Sequence, residues 1–158
     1  MPPTPDEHLI GLISDTHGLL RREAVNALRG SDLIIHAGDI VKPEILESLK
    51  AMAPTVAVRG NCDAGRWTEA VADTEVVEIG GISIYVLHDL EILDLEPEAG
   101  GFKAVIYGHT HKPLIEERRG VLYVNPGSAG PRRFSLPVSV GRLHVKNGSL
   151  RAEIVELT

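Results

Sequence analysis

A chain of 158 residues, 43% of them hydrophobic, can bury about 70% of its unfolded surface, so one domain over residues 1–158 is expected. A net charge of −6 with only 4% aromatic residues is at odds with a general nucleic-acid footprint and with a platform for stacking single strands. Cys62 is the one cysteine, which rules out an intramolecular disulfide; residues 1–7 have no basic n-region or apolar h-region and no apolar run is long enough to span a bilayer, so a cytoplasmic protein without membrane association is expected.

The first apolar run, residues 9–13, has strand length and leads through Ser14 into Asp15-Thr16-His17-Gly18. Residues 19–28 carry apolar side chains at 20, 24, 25, 27 and 28, with Arg21, Arg22 and Glu23 outside, which predicts a helix stopped by Gly30. A second run at 33–37 ends in Gly38-Asp39. Pro43 and Glu44 open a further helix with Ile45, Leu46, Leu49 and Met52 on one face, proline being favoured in a first turn. The third run, residues 55–58, ends in Arg59-Gly60-Asn61-Cys62-Asp63. Strand, helix, strand, helix and strand with short connections predict a parallel sheet with right-handed crossovers.

Beyond Asp63 the pattern changes to hairpins. Residues 75–79 and 82–87 flank Gly80-Gly81, and the second arm ends in His88. The acidic residues 90–100 read as a solvated loop with a short helix. Residues 103–107 form a buried strand leading into Gly108-His109-Thr110-His111. Another strand, residues 121–124, precedes the turn Asn125-Pro126-Gly127-Ser128, and residues 138–145 and 150–155 make a terminal hairpin around Asn147-Gly148. The strand count suggests two packed sheets with helices on the outer faces.

Five apolar runs therefore end in ligand-type residues: Asp15 with His17, Asp39, Asn61, His88, and His109 with His111. Sites in open α/β sheets form beyond the carboxyl ends of the strands. Residues two apart in extended backbone point to one side, so His109 and His111 can face one point. Two carboxylates, one amide oxygen and four imidazoles suit Mn, Fe, Zn, Co or Ni rather than calcium. Seven donors exceed the four of a closed zinc site and suit two ions sharing a carboxylate. With few carboxylates and a neutral Asn61, such a site keeps a small positive charge, which favours an anionic phosphate ester.

Asp15-x-His17, Gly38-Asp39, Gly60-Asn61-x-Asp63, His88 and Gly108-His109-x-His111 resemble the motif set of the calcineurin-like metallophosphoesterases. The chain length, Gly60-Asn61-Cys62-Asp63 and Asn125-Pro126-Gly127-Ser128 resemble their small bacterial and archaeal phosphodiesterase subgroup. The resemblance runs from Asp15 to about Arg132. It implies an α/β fold, a four-layer α/β/β/α sandwich of two mixed sheets flanked by helices. It also implies a metal-dependent phosphodiesterase in which a hydroxide bridging two divalent transition-metal ions attacks phosphorus in line. Manganese is the first expectation, with nickel, cobalt, iron or zinc as substitutes. One ion would lie on Asp15, His17, Asp39 and His111, the other on Asp39, Asn61, His88 and His109, with Asp39 bridging. Catalytic roles are expected for Asp39, Asn61, Cys62 and His88. The expected partner is a small phosphate-ester substrate, and the chain is compatible with a homo-oligomer. The competing expectation is a non-catalytic scaffold, since a retromer subunit resembles this fold and uses its surface for protein contacts; a scaffold need not retain every ligand.

Two positions depart from the family pattern. Cys62 stands where many relatives carry a histidine that assists the leaving group. Asp89 follows His88 where the family usually has glycine. Among the remaining polar residues, His36 reads as a core or supporting histidine rather than a ligand, and His8 and His144 as surface or edge residues. Asp63 could orient an imidazole or cap a turn. Trp67 reads as core and Arg66 as a residue that could touch substrate. Asn61 and Arg132 are expected to bind substrate, and Arg133 is equally placed to hold a phosphate. Ser128 has no base beside it that would make it a nucleophile.

Overall fold

The computed structural model describes residues 7–157; residues 1–6, on which most of the leader expectation rests, lie outside the described residues. In chain order the elements are β1 (Glu7–Ile13), α1 (Arg22–Leu28), β2 (Leu33–His36), α2 (Pro43–Lys50), β3 (Thr55–Ala57), β4 (Thr74–Ile79), β5 (Ile82–Leu87), β6 (Phe102–Ile106), β7 (Leu114–Arg118), β8 (Val121–Asn125), β9 (Ser139–Lys146) and β10 (Ser149–Glu156), with 3₁₀ turns at Arg66–Ala70 and Leu90–Ile92. They form two five-stranded sheets, ordered β10-β9-β1-β2-β3 and β4-β5-β6-β8-β7. Both are mixed. β1, β2 and β3 run parallel, as do β5, β6 and β8, while β9, β10, β4 and β7 pair antiparallel. The parallel pairing brings the carboxyl ends of β1, β2 and β3 to one edge, and those of β5 and β6 likewise.

Strand alternation divides the apolar residues between two cores. Ile10 and Leu12 of β1 and Ile35 of β2 face the second sheet, where they meet Ile84, Val86, Ala104, Ile106 and Val124. Ile13 and Ile34 point the other way, onto Ala24 and Leu28 of α1 and Ile45, Leu46 and Leu49 of α2. Each buried Ile, Leu or Val among them contributes about 1.5–3 kcal/mol. α2 begins with Pro43 and Glu44 in its first turn and has Lys50 in its last, a charge order that suits the helix dipole. At the β9–β10 turn Asn147 and Gly148 take φ of 51° and 79°, the two-residue geometry that matches strand twist.

The sandwich of two mixed sheets is thus as expected, and its fourth layer is thin. The outer face of the second sheet, with Tyr85, Val105, Tyr107 and Tyr123, is covered by Leu90, Leu93 and Leu95, with Phe102 of β6 packed beside them. Only a 3₁₀ turn, Leu90–Ile92, forms there, ahead of Pro97 and Gly100-Gly101, residue types that disfavour a helix interior. The acidic stretch read as solvated therefore also serves as a cover. β7 has no counterpart in the sequence reading. It is an edge strand, mostly exposed, and Leu-Ile-Glu-Glu-Arg carries no alternating pattern. No helix among the described residues is long and apolar enough to cross a membrane.

Candidate metal centre

The loops that follow the strands are stitched to one another. Asp15 N donates to Gly38 O and His17 N to Asp39 O, each at 2.9 Å, and Gly108 N donates to His88 O at 2.9 Å. Five of the seven expected donors sit in left-handed backbone: Asp15 (φ 54°), His17 (45°), Asp39 (57°), His109 (74°) and His111 (65°). Non-glycine residues rarely adopt this conformation, and where they do they concentrate at functional sites. Two glycines let the loops close on the donors. A Cβ on Gly38 would lie 2.6 Å from His88 Nδ1, and one on Gly108 would collide with Ser14 Oγ and the Asp15 carboxylate.

Each carboxylate has one oxygen held by backbone or hydroxyl donors and the other turned toward imidazoles. Asp15 Oδ2 accepts from Ser14 Oγ (2.7 Å) and from His109 N (3.1 Å). Its Oδ1 is left facing His111 Nε2 at 3.4 Å and the Nε2 atoms of His17 and His88 at 3.8 Å. Asp39 Oδ1 accepts from Cys62 N at 2.8 Å. Its Oδ2 faces His88 Nε2 at 3.2 Å and His17 Nε2 at 3.5 Å. The donor atoms of Asp15, His17 and His111 all lie within 4.8 Å of one another, as do those of Asp15, Asp39 and His88.

A second convergence adjoins the first. Asn61 Oδ1 lies 3.1 Å from His88 Nε2 and 3.2 Å from His109 Nδ1. His88 Nδ1 is 2.7 Å from the carbonyl of Ala37 and must donate to it, which leaves the Nε2 lone pair of a neutral ring facing two oxygens. That arrangement requires a proton or a metal cation between them. The burial of His88 lowers its pKa, but Asp39 and Asp15 outweigh that and raise it. Asp15 Oδ1 and His17 Nε2 are buried with no hydrogen-bond partner. Bare carboxylate oxygens and imidazole lone pairs aimed at common points fit divalent metal ions.

The electrostatics follow from the same contacts. Burial pushes the Asp15 carboxyl up, yet His111, His17, His88 and Ser14 hold it well below the usual range. Asp39 is raised by burial and lowered further by His88 and the Cys62 N–H, for a net depression. His36 is fully buried, and burial holds it down at about 4 against the attraction of Asp15 and Asp39. Its Nδ1 accepts from Gly38 N (3.1 Å), so its Nε2 carries the proton and faces Thr16 Oγ1 (3.0 Å). His36 thus ties the loop of Asp15 to that of Asp39 without reaching the donor groups.

Cys62 is exposed. Burial and the carboxylates of Asp39 and Asp63 push its thiol up, while Arg133 opposes them. Arg132, expected to touch substrate, lines a cavity with Arg21, Glu23, Val138 and Leu157. Arg133 is the arginine whose charge reaches Cys62. Asp89 has φ −115°, ordinary extended backbone, so glycine is not needed there; its Oδ2 lies 3.9 Å from His109 Nε2. Ser128 Oγ donates to Asp15 O at 3.0 Å, a structural contact. Trp67 packs against the α1–α2 core. Asn125 was legible only as a turn residue. It is buried, and its Nδ2 donates to Gly108 O (3.1 Å) and Thr110 Oγ1 (3.0 Å), setting the loop that presents His109 and His111. An amide ending a buried strand is the signal that could have marked it.

Residues 9–148 match the model of the calcineurin-like phosphoesterase superfamily domain. A probable metallophosphoesterase of Methanocaldococcus jannaschii is 37% identical, over 94% of this chain and 81% of that protein. A solved archaeal phosphodiesterase superposes with a TM-score of 0.78 at 27% identity, covering 93% of this chain and 99% of the other. Vacuolar protein sorting 29 from Cryptosporidium parvum shares the fold at a TM-score of 0.76 and 20% identity, covering 96% and 98%.

Proposed function

This chain belongs to the calcineurin-like phosphoesterase superfamily, and we propose that it is a metal-dependent phosphodiesterase of the cytoplasm acting on small phosphate esters. The observation that carries this reading is the pair of adjoining donor groups that meet at Asp39 Oδ2, which faces the imidazoles of both His17 and His88. The family implies divalent metal ions. In this reading Asp15, His17, Asp39 and His111 hold one, and Asp39, Asn61, His88 and His109 the other, manganese being the first candidate. Such a pair, when bound, supplies Lewis acidity and an activated water for in-line attack at phosphorus.

The chain's own residues position that chemistry. The Cys62 N–H stops the Asp39 carboxylate from rotating, so Oδ2 stays between the two groups. His88 is held through Nδ1 on Ala37 O and offers Nε2. His109, with its side chain 41% exposed, marks the side open to substrate. Cys62 occupies the position beside Asn61 where an imidazole would protonate a leaving oxygen, so the favoured substrates are diesters whose leaving group departs unaided.

A scaffold on the same fold draws support from the likeness to vacuolar protein sorting 29, which at 20% identity is a likeness of fold. All seven donors are present and face one another, which favours the enzyme.

The test is metal loading followed by hydrolysis. Chelated protein should be inert toward a bis-aryl phosphodiester, and should regain activity on binding about two Mn²⁺, Ni²⁺ or Co²⁺ ions. Asp39→Ala should lose metal at both positions and activity with it, while circular dichroism still reports the sheets. No specific metal binding at neutral pH would favour the scaffold.

A further inference from the structure

A third set of donor atoms adds one residue, Cys62, to two of the expected ligands. His17 Nε2, an Asp39 carboxylate oxygen and Cys62 Sγ all lie within 4.8 Å of one another. His17 Nε2 is buried and lacks a hydrogen-bond partner. Asp15, whose side chain is fully buried, aims its own unpartnered Oδ1 at the same nitrogen from 3.8 Å. The position of Cys62 is fixed rather than incidental. Its N–H is held on Asp39 Oδ1 at 2.8 Å, and the Asn61 Nδ2 amide lies 3.5 Å from its sulfur.

We propose that Cys62 is a thiolate ligand on the solvent side of the ion held by Asp15, His17, Asp39 and His111. This rests on the metal-centre reading above. When the ion binds, the S–H bond breaks, the proton leaves to solvent and a sulfur–metal bond forms; no electron changes hands. Coordination deprotonates a thiol outright. Thiolate is the soft donor that selects zinc and other thiophilic ions over manganese. The two positions therefore differ in kind. The Cys62 side prefers the softer ion, and the Asn61–His88–His109 side has only nitrogen and oxygen.

The test is a Cd²⁺ titration of the chelated full-length chain and of Cys62→Ser, followed by calorimetry and by the ultraviolet thiolate-to-cadmium charge-transfer band, with Mn²⁺ as the hard-ion control. The wild type should develop the band as the Cys62 position fills. Cys62→Ser should lack it and bind Cd²⁺ more weakly, by at least the about 10–100-fold that losing a mere orienting partner costs, with Mn²⁺ affinity changed less. Calorimetric binding of Cd²⁺ to the wild type without the band would overturn the proposal and leave the metal centre standing. If neither ion binds either protein, the metal-centre reading fails and takes this proposal with it.

Discussion

Asp63 Oδ2 accepts the backbone N–H of Asp39 at 3.0 Å, so the residue that closes the third motif holds in place the carboxylate of the second. The same oxygen accepts Gly60 N at 2.8 Å, and Oδ1 accepts Val41 N at 2.7 Å. Hydrogen bonds to a charged acceptor contribute about 1.5–3 kcal/mol each, less where water can replace them. Asp63→Ala should therefore lose about 3 kcal/mol by denaturant unfolding and about 10–100-fold in metal affinity. Asp63→Asn, with one acceptor oxygen, should fall between. A stability loss with unchanged metal affinity would reduce Asp63 to a turn cap.

His36 gives the fold an acid sensitivity. Its folded value of about 4 lies below the ordinary 6.5, so between these the unfolded chain binds more protons than the native one. The contribution is fully present above pH 6.5 and is lost as pH falls through about 4, on the order of 3 kcal/mol in all. Burial of a neutral ring is the cause. His36→Asn should be less stable than wild type at pH 7, and the difference should shrink across that window. Unfolding of chelated protein from pH 7 to 4 measures it as the difference between the two proteins. A constant difference would mean that His36 is not buried neutral.

Asp89 places a negative charge 3.9 Å from His109 Nε2 in ordinary backbone geometry. Its effect on substrate should therefore come from charge, and Asp89→Asn should match Asp89→Gly. Both should lower KM for a dianionic monoester more than for a monoanionic diester. At a partly exposed site the interaction is about 0.2–1 kcal/mol, which corresponds to at most about fivefold in KM. An effect confined to Asp89→Gly would point to the backbone instead.

Cys62→His should help poor leaving groups. An imidazole can donate a proton near neutral pH, whereas a thiol is a weak donor and a thiolate none. General-acid assistance is typically about 10²–10⁴-fold, so a gain of even about tenfold in kcat for alkyl leaving groups would be measurable. The readout is the slope of log kcat against leaving-group pKa for a series of diesters, which should flatten in the variant. Identical slopes with chemistry rate-limiting would place Cys62 away from the leaving oxygen.

The positions of the donors along the chain are legible because each sits where a short apolar run stops, and a buried strand must stop where polar groups begin. The ends of β1, β2, β3, β5 and β6 all carry this mark. β7 carries no such mark because an exposed edge strand has no face to bury. The roles of Asp63 and Asn125 depend on which loops meet in three dimensions, and nothing local to either residue specifies the Asp39 or Gly108 backbone as its partner. Arg132 and Arg133 are adjacent and chemically alike, so only the path of the loop after Gly130 separates them. The left-handed backbone at the donors is equally hidden, since none of these five residues is a glycine.

That backbone has a consequence for how such a chain can change. Holding a non-glycine residue in the left-handed region costs of order 1–3 kcal/mol, and Asp15, His17, Asp39, His109 and His111 all do so. Glycine or asparagine at His17 or His109 would relax the loop while removing a candidate metal donor. Substitutions selected for the stability of the metal-free chain would therefore collect at these five positions, whereas a bound ion, by stabilising the native state, would oppose them.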